Sequence, residues 1–298
     1  MIKVKQLIDE IYQFETLLPQ VVPSLFTVYL IKESQGVVID PGPAILVPQI
    51  QEAMVKLGIK DLDYIIPTHI HIDHAGAIGR LAQLYPRAKV VVHPAGMKHV
   101  IDPSRLIEST KTVFGPDFET GLGPIIPVPE SQLKAVQDGE VIKVGSRELQ
   151  FFHAPGHAPH QIVILDRSVK GLFSGEALGL QGQGSKPLAL PAVAPPAFDQ
   201  EVYLETMEKL RKLEPELIFY SHGGMAKEPD KLISIAQENT RLVGDLILKA
   251  LKDGEADEAI RRKLREAAKD RFGIELSDMD LEMIVGGYTM YYKKKGLR

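Results

Sequence analysis

Hydrophobic periodicity divides the chain into an αβ stretch, a β stretch and a helical stretch. In the first, residues 6–14 and 25–31 run apolar or alternate with β-branched and aromatic side chains, which predicts strands. Gly36-Val37-Val38-Ile39-Asp40 predicts another, ended by Pro41-Gly42-Pro43. A helix follows, with Pro48 in its first turn and Gly58 closing it. Its Ile50, Ala53, Met54 and Leu57 share one face. Asp63-Tyr64-Ile65-Ile66 reads as a short buried strand, and Ile78, Leu81, Ala82 and Tyr85 as a helical stripe. Residues 88–93 return to strand.

The rhythm breaks over residues 94–130. There Pro, Gly and Ser punctuate a helical insertion whose apolar positions are Val100, Ile101, Leu106, Ile107 and Val113. From 133 to 175 the texture is β. Two runs flank the hairpin signal Gly145-Ser146-Arg147, and two more flank Asp166-Arg167-Ser168. Residues 177–198 form a Pro/Gly-rich loop, and so long a loop in a compact domain is a functional candidate. Asp199 caps a helix that buries Tyr203, Met207, Leu210 and Leu213, and residues 217–220 predict the final strand. Beyond 226 the period is helical, with Ser277-Asp278-Met279-Asp280 as a capping box. The expected organisation is a catalytic domain over 1–225 and a helical extension over 226–298.

Composition narrows the function classes. The 298 residues are 44% hydrophobic and 25% charged, as in an ordinary soluble globular protein. A net charge of −4 offers nucleic acid or an anionic membrane no general attraction. The run Lys293-Lys294-Lys295 is expected to be a solvated tail. With no cysteine in the chain, disulfides, thiolate zinc sites and cysteine nucleophiles are excluded. The N-terminal residues have no apolar signal-type core and no run is long enough to span a bilayer, so the expected location is the cytoplasm.

Chemistry enters at Thr68-His69-Ile70-His71-Ile72-Asp73-His74, between a predicted strand and a helix. Three of the nine histidines fall within the six positions 69–74, and four donors in one turn are too many for a single ion. His157 follows the Pro155-Gly156 bend, Glu176 follows Phe173-Ser174-Gly175, and His222 follows the 217–220 strand. If the strands run in one sense, all of these reach one edge of the sheets. His69, His71 and His157 then form one ligand set, and Asp73, His74 and His222 a second, with Glu176 placed to bridge them. Three protein ligands and an open position distinguish catalytic from structural zinc. Two ions would activate water at neutral pH, with Asp73 orienting it or passing on its proton, which points to hydrolysis. Zinc is the expected metal, and iron or manganese suits the same donors. His93 and His99 read as structural.

His69-x-His71-x-Asp73-His74, Pro155-Gly156-His157, Ser221-His222-Gly223 and Val38-Ile39-Asp40-Pro41-Gly42 together resemble the metallo-β-lactamase superfamily, over roughly residues 20–225. The resemblance implies a mixed α/β, four-layer αββα sandwich carrying a dinuclear site of two divalent metal ions. It also implies a hydrolase that cleaves an ester-like bond (thioester, lactone or phosphodiester) in a small-molecule substrate with metal-bound hydroxide. Asp40 is carried over as support behind the ligand loop. His160 flanks His157 without support from the family as a ligand, and is expected to neighbour the site or face the substrate. His153 reads as structural. The insertion, the 177–198 loop and the helical C-terminus resemble a prokaryotic subgroup of hydrolases.

One position departs from the pattern: the superfamily usually has Asp where Glu176 stands, which leaves metal spacing and occupancy of the second site open. Two other classes therefore stay in view. One is a mononuclear non-haem iron dioxygenase of the persulfide type, with His69, His157 and Glu176 as its triad. The other is a non-catalytic binding protein with a vestigial site. Electron transfer fits less well, because no flavodoxin-like domain is visible and His71 stands where such members have Glu. In the loop, Leu178, Leu180, Leu188, Leu190 and Val193 favour an apolar acyl group over a polyanion.

Overall fold

A computed structural model describes residues 2–18, 22–33, 35–181 and 189–297, so part of the 177–198 loop, including Leu188, lies outside the described residues. Seven strands form one sheet in chain order: β1 Lys5–Ile8, β2 Ile11–Leu18, β3 Val22–Lys32, β4 Gly36–Ile39, β5 Leu62–Ile66, β6 Lys89–Val92 and β7 Leu133–Ala135. The pairs from β4 to β7 are parallel. Six more strands form a second sheet: β8 Val141–Val144, β9 Arg147–His153, β10 Ile162–Asp166, β11 Gly171–Gly175, β12 Leu217–Tyr220 and β13 Gly224–Ala226. In this sheet only β11 and β12 pair in parallel.

Alternation along each strand separates three apolar layers. Tyr29, Ile31, Ile39 and Val91 of the first sheet face Phe151, Ile164, Phe173 and Phe219 of the second. The interleaved Val28, Leu30, Val38, Ile65 and Val90 pack outward on α1 (Val47–Leu57) and α3 (Ile78–Leu84); the four-residue α2 (Ile72–Ala75) lies between them in the chain. On the far side, Val163, Leu172 and Ile218 pack against α7 (Gln200–Arg211), α8 (Pro229–Lys252), α9 (Asp257–Ala267) and α10 (Asp278–Lys294). The expected αββα sandwich is therefore observed, and the C-terminal helices share an apolar cluster with the second sheet. Helices α4 (Met97–Ile101), α5 (Ser104–Phe114) and α6 (Phe118–Leu122) make up the insertion.

The ligand-bearing ends of the two sheets are tied to each other. Ile162 N donates to Thr68 O (2.8 Å), Thr27 N to Ser221 O (2.8 Å) and the Tyr29 hydroxyl to Tyr220 O (2.6 Å). Because β9, β11 and β12 run in one sense, as do β4 and β5, the segments after all five strands emerge at that one edge.

Several local expectations change. Residues 6–14 are two strands, broken by a turn at Asp9-Glu10 with φ of 35° and 54°. The 217–220 strand is not the last: Gly223 and Gly224, at φ of 111° and 74°, turn the chain into β13. In the insertion Val100 is buried and Ile107 packs against the same cluster, but Ile101 and Val113 are exposed and Leu106 is half-buried, so only part of its stripe is core. The lysine run is no free tail. It closes α10, where cations suit the helix dipole, and Lys294 Nζ donates to Pro196 O at 2.7 Å. The capping box forms as expected: Asp280 N donates to Ser277 Oγ at 3.1 Å and Ser277 N to Asp280 Oδ2 at 2.9 Å.

Arg147, placed in a turn by the sequence pattern, instead opens β9 and is 2% exposed. Its guanidinium donates to Asp166 Oδ2 (2.6 Å), Glu33 Oε1 (2.9 Å) and Asp9 Oδ2 (2.8 Å), tying the two sheets at the end away from the ligand loop. Asp166 is fully buried. Arg147→Ala should therefore strand a buried carboxylate and lower unfolding free energy by about 3–5 kcal/mol in chemical denaturation. A loss below about 1 kcal/mol, the range of surface pairs, would contradict this role.

Candidate metal centre

The edge shared by the sheets gathers every donor singled out in the sequence. His69 and His71 lie in the turn between β5 and α2, and Asp73 and His74 lie within α2. His157 follows β9 after a bend at Gly156, whose φ is 123° and where an added Cβ would sit 2.4 Å from Tyr203 Cα. Only glycine fits there. Glu176 leaves β11 directly after Gly175, and His222 follows β12 by two residues.

Two groups of four donors result, each with its ligand atoms within 4.8 Å of one another. They are His69, His71, His157 and Glu176, and Asp73, His74, His222 and Glu176. Glu176 belongs to both. Its Oε2 lies 2.8 Å from His157 Nε2 and 3.4 Å from His69 Nε2, while Oε1 lies 3.7 Å from His222 Nε2. His71 Nδ1 stands 2.9 Å from His69 Nε2 and 3.1 Å from His157 Nε2. Asp73 Oδ2 lies 3.4 Å from His74 Nε2 and 3.5 Å from His222 Nε2.

This donor set fits divalent metal. Burial, reinforced by neighbouring imidazoles, pushes His69 and His71 well below the ordinary histidine range, towards the neutral form that ligates. Burial alone would raise the Asp73 and Glu176 carboxyls, but the facing imidazoles outweigh it and hold both well below the usual carboxylate range. Among the described residues no lysine or arginine pairs with either carboxylate. Nε2 of His74 is sealed from solvent without a hydrogen bond and faces only carboxylate oxygens, the environment of a ligand atom awaiting a cation.

Behind the donors stands Asp40, 1% exposed and at φ 46°, a left-handed conformation unusual for a residue with a side chain. Thr68 N donates to its Oδ1 at 2.6 Å, Thr68 Oγ1 lies 3.0 Å from both oxygens, and the Ser221 hydroxyl donates to Oδ2. Oδ2 is also 3.2 Å from His74 Nδ1. One carboxylate thus fixes the starts of two ligand segments, from β5 and β12. His157 is turned by a contact of Nδ1 with Ala192 O at 3.1 Å, which leaves Nε2 facing Glu176. His160 lies beside the first group, its ring edge-on to His71 at 5.5 Å, with Nδ1 accepting from Ile70 N at 3.5 Å. His93 and His153 belong to neither group. Their rings meet at 4.0 Å, and Nδ1 of His93 accepts from Ala95 N.

The sequence reading did not single out Thr68 or Ser221, although each directly precedes a ligand, and that adjacency was the available signal. Nor did it single out Phe26, whose ring meets the edges of His74 and His222 at 5.4 and 5.3 Å. Tyr203 was read only as helix core. Its hydroxyl donates to Glu176 O at 2.7 Å and lies 3.4 Å from Ala192 N, so it braces both the shared carboxylate and the loop that orients His157.

The family model described as the metallo-beta-lactamase superfamily matches residues 26–222. The chain belongs to that superfamily. ST1585 of Sulfurisphaera tokodaii, named a metallo-beta-lactamase fold-containing protein, is 29% identical over 208 residues, 68% of this chain and 74% of its own. Its solved structure superposes with a TM-score of 0.64, covering 78% of this chain and 86% of that one at 26% identity. The metallo-beta-lactamase family protein TTHA1429 of Thermus thermophilus has a TM-score of 0.73 at 18% identity. It covers 98% of this chain and 95% of its own, so the shared fold extends into the C-terminal helices. Human acyl-coenzyme A thioesterase MBLAC2 is 29% identical over 130 residues, 38% of this chain and 40% of that protein.

Asp40→Ala would leave the buried Thr68 amide and Ser221 hydroxyl without their acceptor, at a cost of about 1–3 kcal/mol in denaturation. Unchanged stability would mean that Asp40 does not hold the two ligand segments.

Proposed function

We propose that this protein is a metal-dependent hydrolase that cleaves an ester-like bond (thioester, lactone or phosphodiester) in a small-molecule substrate, using two divalent ions. The observation that carries the reading is the pair of complete donor groups sharing Glu176. Bound there, such ions would supply Lewis acidity and water activated at neutral pH.

The residues of the chain do the rest. His69, His71 and His157 would hold the first ion and Asp73, His74 and His222 the second, with Glu176 a member of both donor groups. Asp73 lines the cavity through which substrate enters, and its carboxylate is assigned to orient the attacking water and carry its proton to the leaving group. Asp40 and the Ala192 carbonyl keep His74 and His157 in the orientation this needs. The retained second group supports two ions over the single-iron dioxygenase built on His69, His157 and Glu176. A likeness to an acyl-coenzyme A thioesterase, partial as it is, supports a thioester within the ester-like class. No helix among the described residues is long and apolar enough to cross a membrane, and the cytoplasm remains our proposed location.

The test is turnover by the purified protein on a panel of acyl thioesters, esters, lactones and phosphodiesters. Activity on none of them, or on phosphodiesters alone, would overturn the reading or its acyl preference respectively. His71→Ala should abolish turnover and remove most bound metal, and full activity in a metal-replete assay would contradict its assignment. Glu176→Asp should stay within about tenfold of the parent, whereas Glu176→Ala should lose about a hundredfold or more. If both variants match the parent in activity and metal content, Glu176 is no ligand.

A further inference from the structure

A cavity of about 210 Å³ opens directly above the donors, with His71, Asp73, His157 and Glu176 as its floor. Three segments far apart in sequence build its walls. Helix α5 of the insertion supplies Leu106, Val113 and Phe114, the loop before α7 supplies Val193, and α10 supplies Met283 and Ile284. This explains why part of the apolar stripe of the insertion is not core: Leu106 and Val113 face the cavity, and Val113 remains 41% exposed. Apolar side chains left open beside polar donors mark a binding surface.

We infer that this cleft is the acyl-chain subsite of the enzyme, and that its substrates carry a straight, unbranched acyl group of medium length, about six to ten carbons. The inference rests on the hydrolase reading above, since the scissile carbonyl must reach the donor floor for the chain to lie between α5 and α10. Charge disfavours a polyanionic substituent in the cleft: among the described residues its lining holds no lysine or arginine, and it carries the acidic side chains of Asp73, Glu176 and Asp280. The polar side chains of the walls are mostly spoken for. Thr110 Oγ1 donates back to Leu106 O at 2.8 Å, and Asp280 is held in the capping box with Ser277. An apolar cavity of about 150 Å³ takes a benzene-sized guest, and this one, at about 210 Å³, has room for a chain of about six carbons or more. The two methionines on α10, Met279 and Met283, suit a flexible chain, being soft and unbranched.

The α10 wall is held in place by close packing. Gly287 of α10 meets the loop so closely that an added Cβ would lie 2.3 Å from Val193 Cγ1, and further along the helix Lys294 donates to Pro196 O. The α10 wall is therefore anchored to the loop, and the cleft lies between it and helix α5 of the insertion.

The experiment uses the full chain with its metal as purified and reads binding and turnover separately. Burial of each methylene strengthens binding about fourfold, so seating only three of the six additional methylenes of octanoate should already make it bind at least about fiftyfold tighter than acetate, the carboxylate contribution cancelling in the ratio. In turnover, kcat/KM for straight-chain acyl thioesters should peak between hexanoyl and decanoyl. Met283→Trp should shift that peak to shorter chains and cut the octanoate-to-acetate ratio about tenfold or more, and Leu106→Trp should do the same from the opposite wall. Preferential octanoate binding sensitive to both substitutions, without hydrolysis of any acyl substrate, would leave the cleft standing and sink the hydrolase reading. Hydrolysis with no dependence on chain length, and equal binding of acetate and octanoate by parent and variants, would sink the cleft and leave the hydrolase standing.

Discussion

The rest of the structure depends on one electrostatic constraint. Three carboxylates, Asp40, Asp73 and Glu176, are buried among four buried imidazoles where the two sheets meet, the last two at the floor of the cavity. Isolated buried charges of this kind cost several kcal/mol each unless they are paired. Asp40 is settled by hydrogen bonds from Thr68 and Ser221, which the fold can supply. Asp73 and Glu176 have only imidazoles to face, and the same burial favours neutral imidazole at His69 and His71. A cation resolves the conflict. The site is therefore poised to bind metal, and metal binding is expected to stabilise the fold through the same donors.

The fold serves this constraint by tying its sheets twice. At the ligand edge, backbone and hydroxyl hydrogen bonds join Thr68 to β10, and β3 to the end of β12. At the opposite end Arg147 joins the β8–β9 hairpin to the turns at Asp9 and Glu33. Between them runs the Phe151–Phe173–Phe219 layer. The strands deliver each donor, and the loops after them need only short bends, at Gly156 and Gly175, where glycine takes positive φ freely, and at Asp40, where it is unfavourable, to aim the side chains.

Much of this was legible in the sequence, for identifiable reasons. A histidine cluster at a strand-to-helix turn is dense enough to stand out, and each further ligand follows a recognisable strand, so the grouping of His69, His71 and His157 apart from Asp73, His74 and His222 could be drawn in advance. What escaped were features set by tertiary contact. Arg147 looks like a hairpin residue because its three carboxylate partners come from other parts of the chain. Leu106 and Val113 read only as apolar positions of the insertion, because periodicity reports an apolar face without saying whether protein or ligand covers it. Tyr203 follows plain helix spacing, and nothing local shows that its hydroxyl reaches Glu176. The short β13 was missed because two glycines hide a turn that only pairing with β12 defines.

The central claim is that these donors form two metal sites joined by Glu176. The most direct measurement is elemental analysis of the protein purified without added metal, combined with the metal content of Asp73→Ala. The account predicts about two divalent ions per chain, zinc foremost, falling to about one when Asp73 is removed from the second group. A single iron per chain, unchanged by Asp73→Ala, would contradict it and return the site to the mononuclear oxygenase.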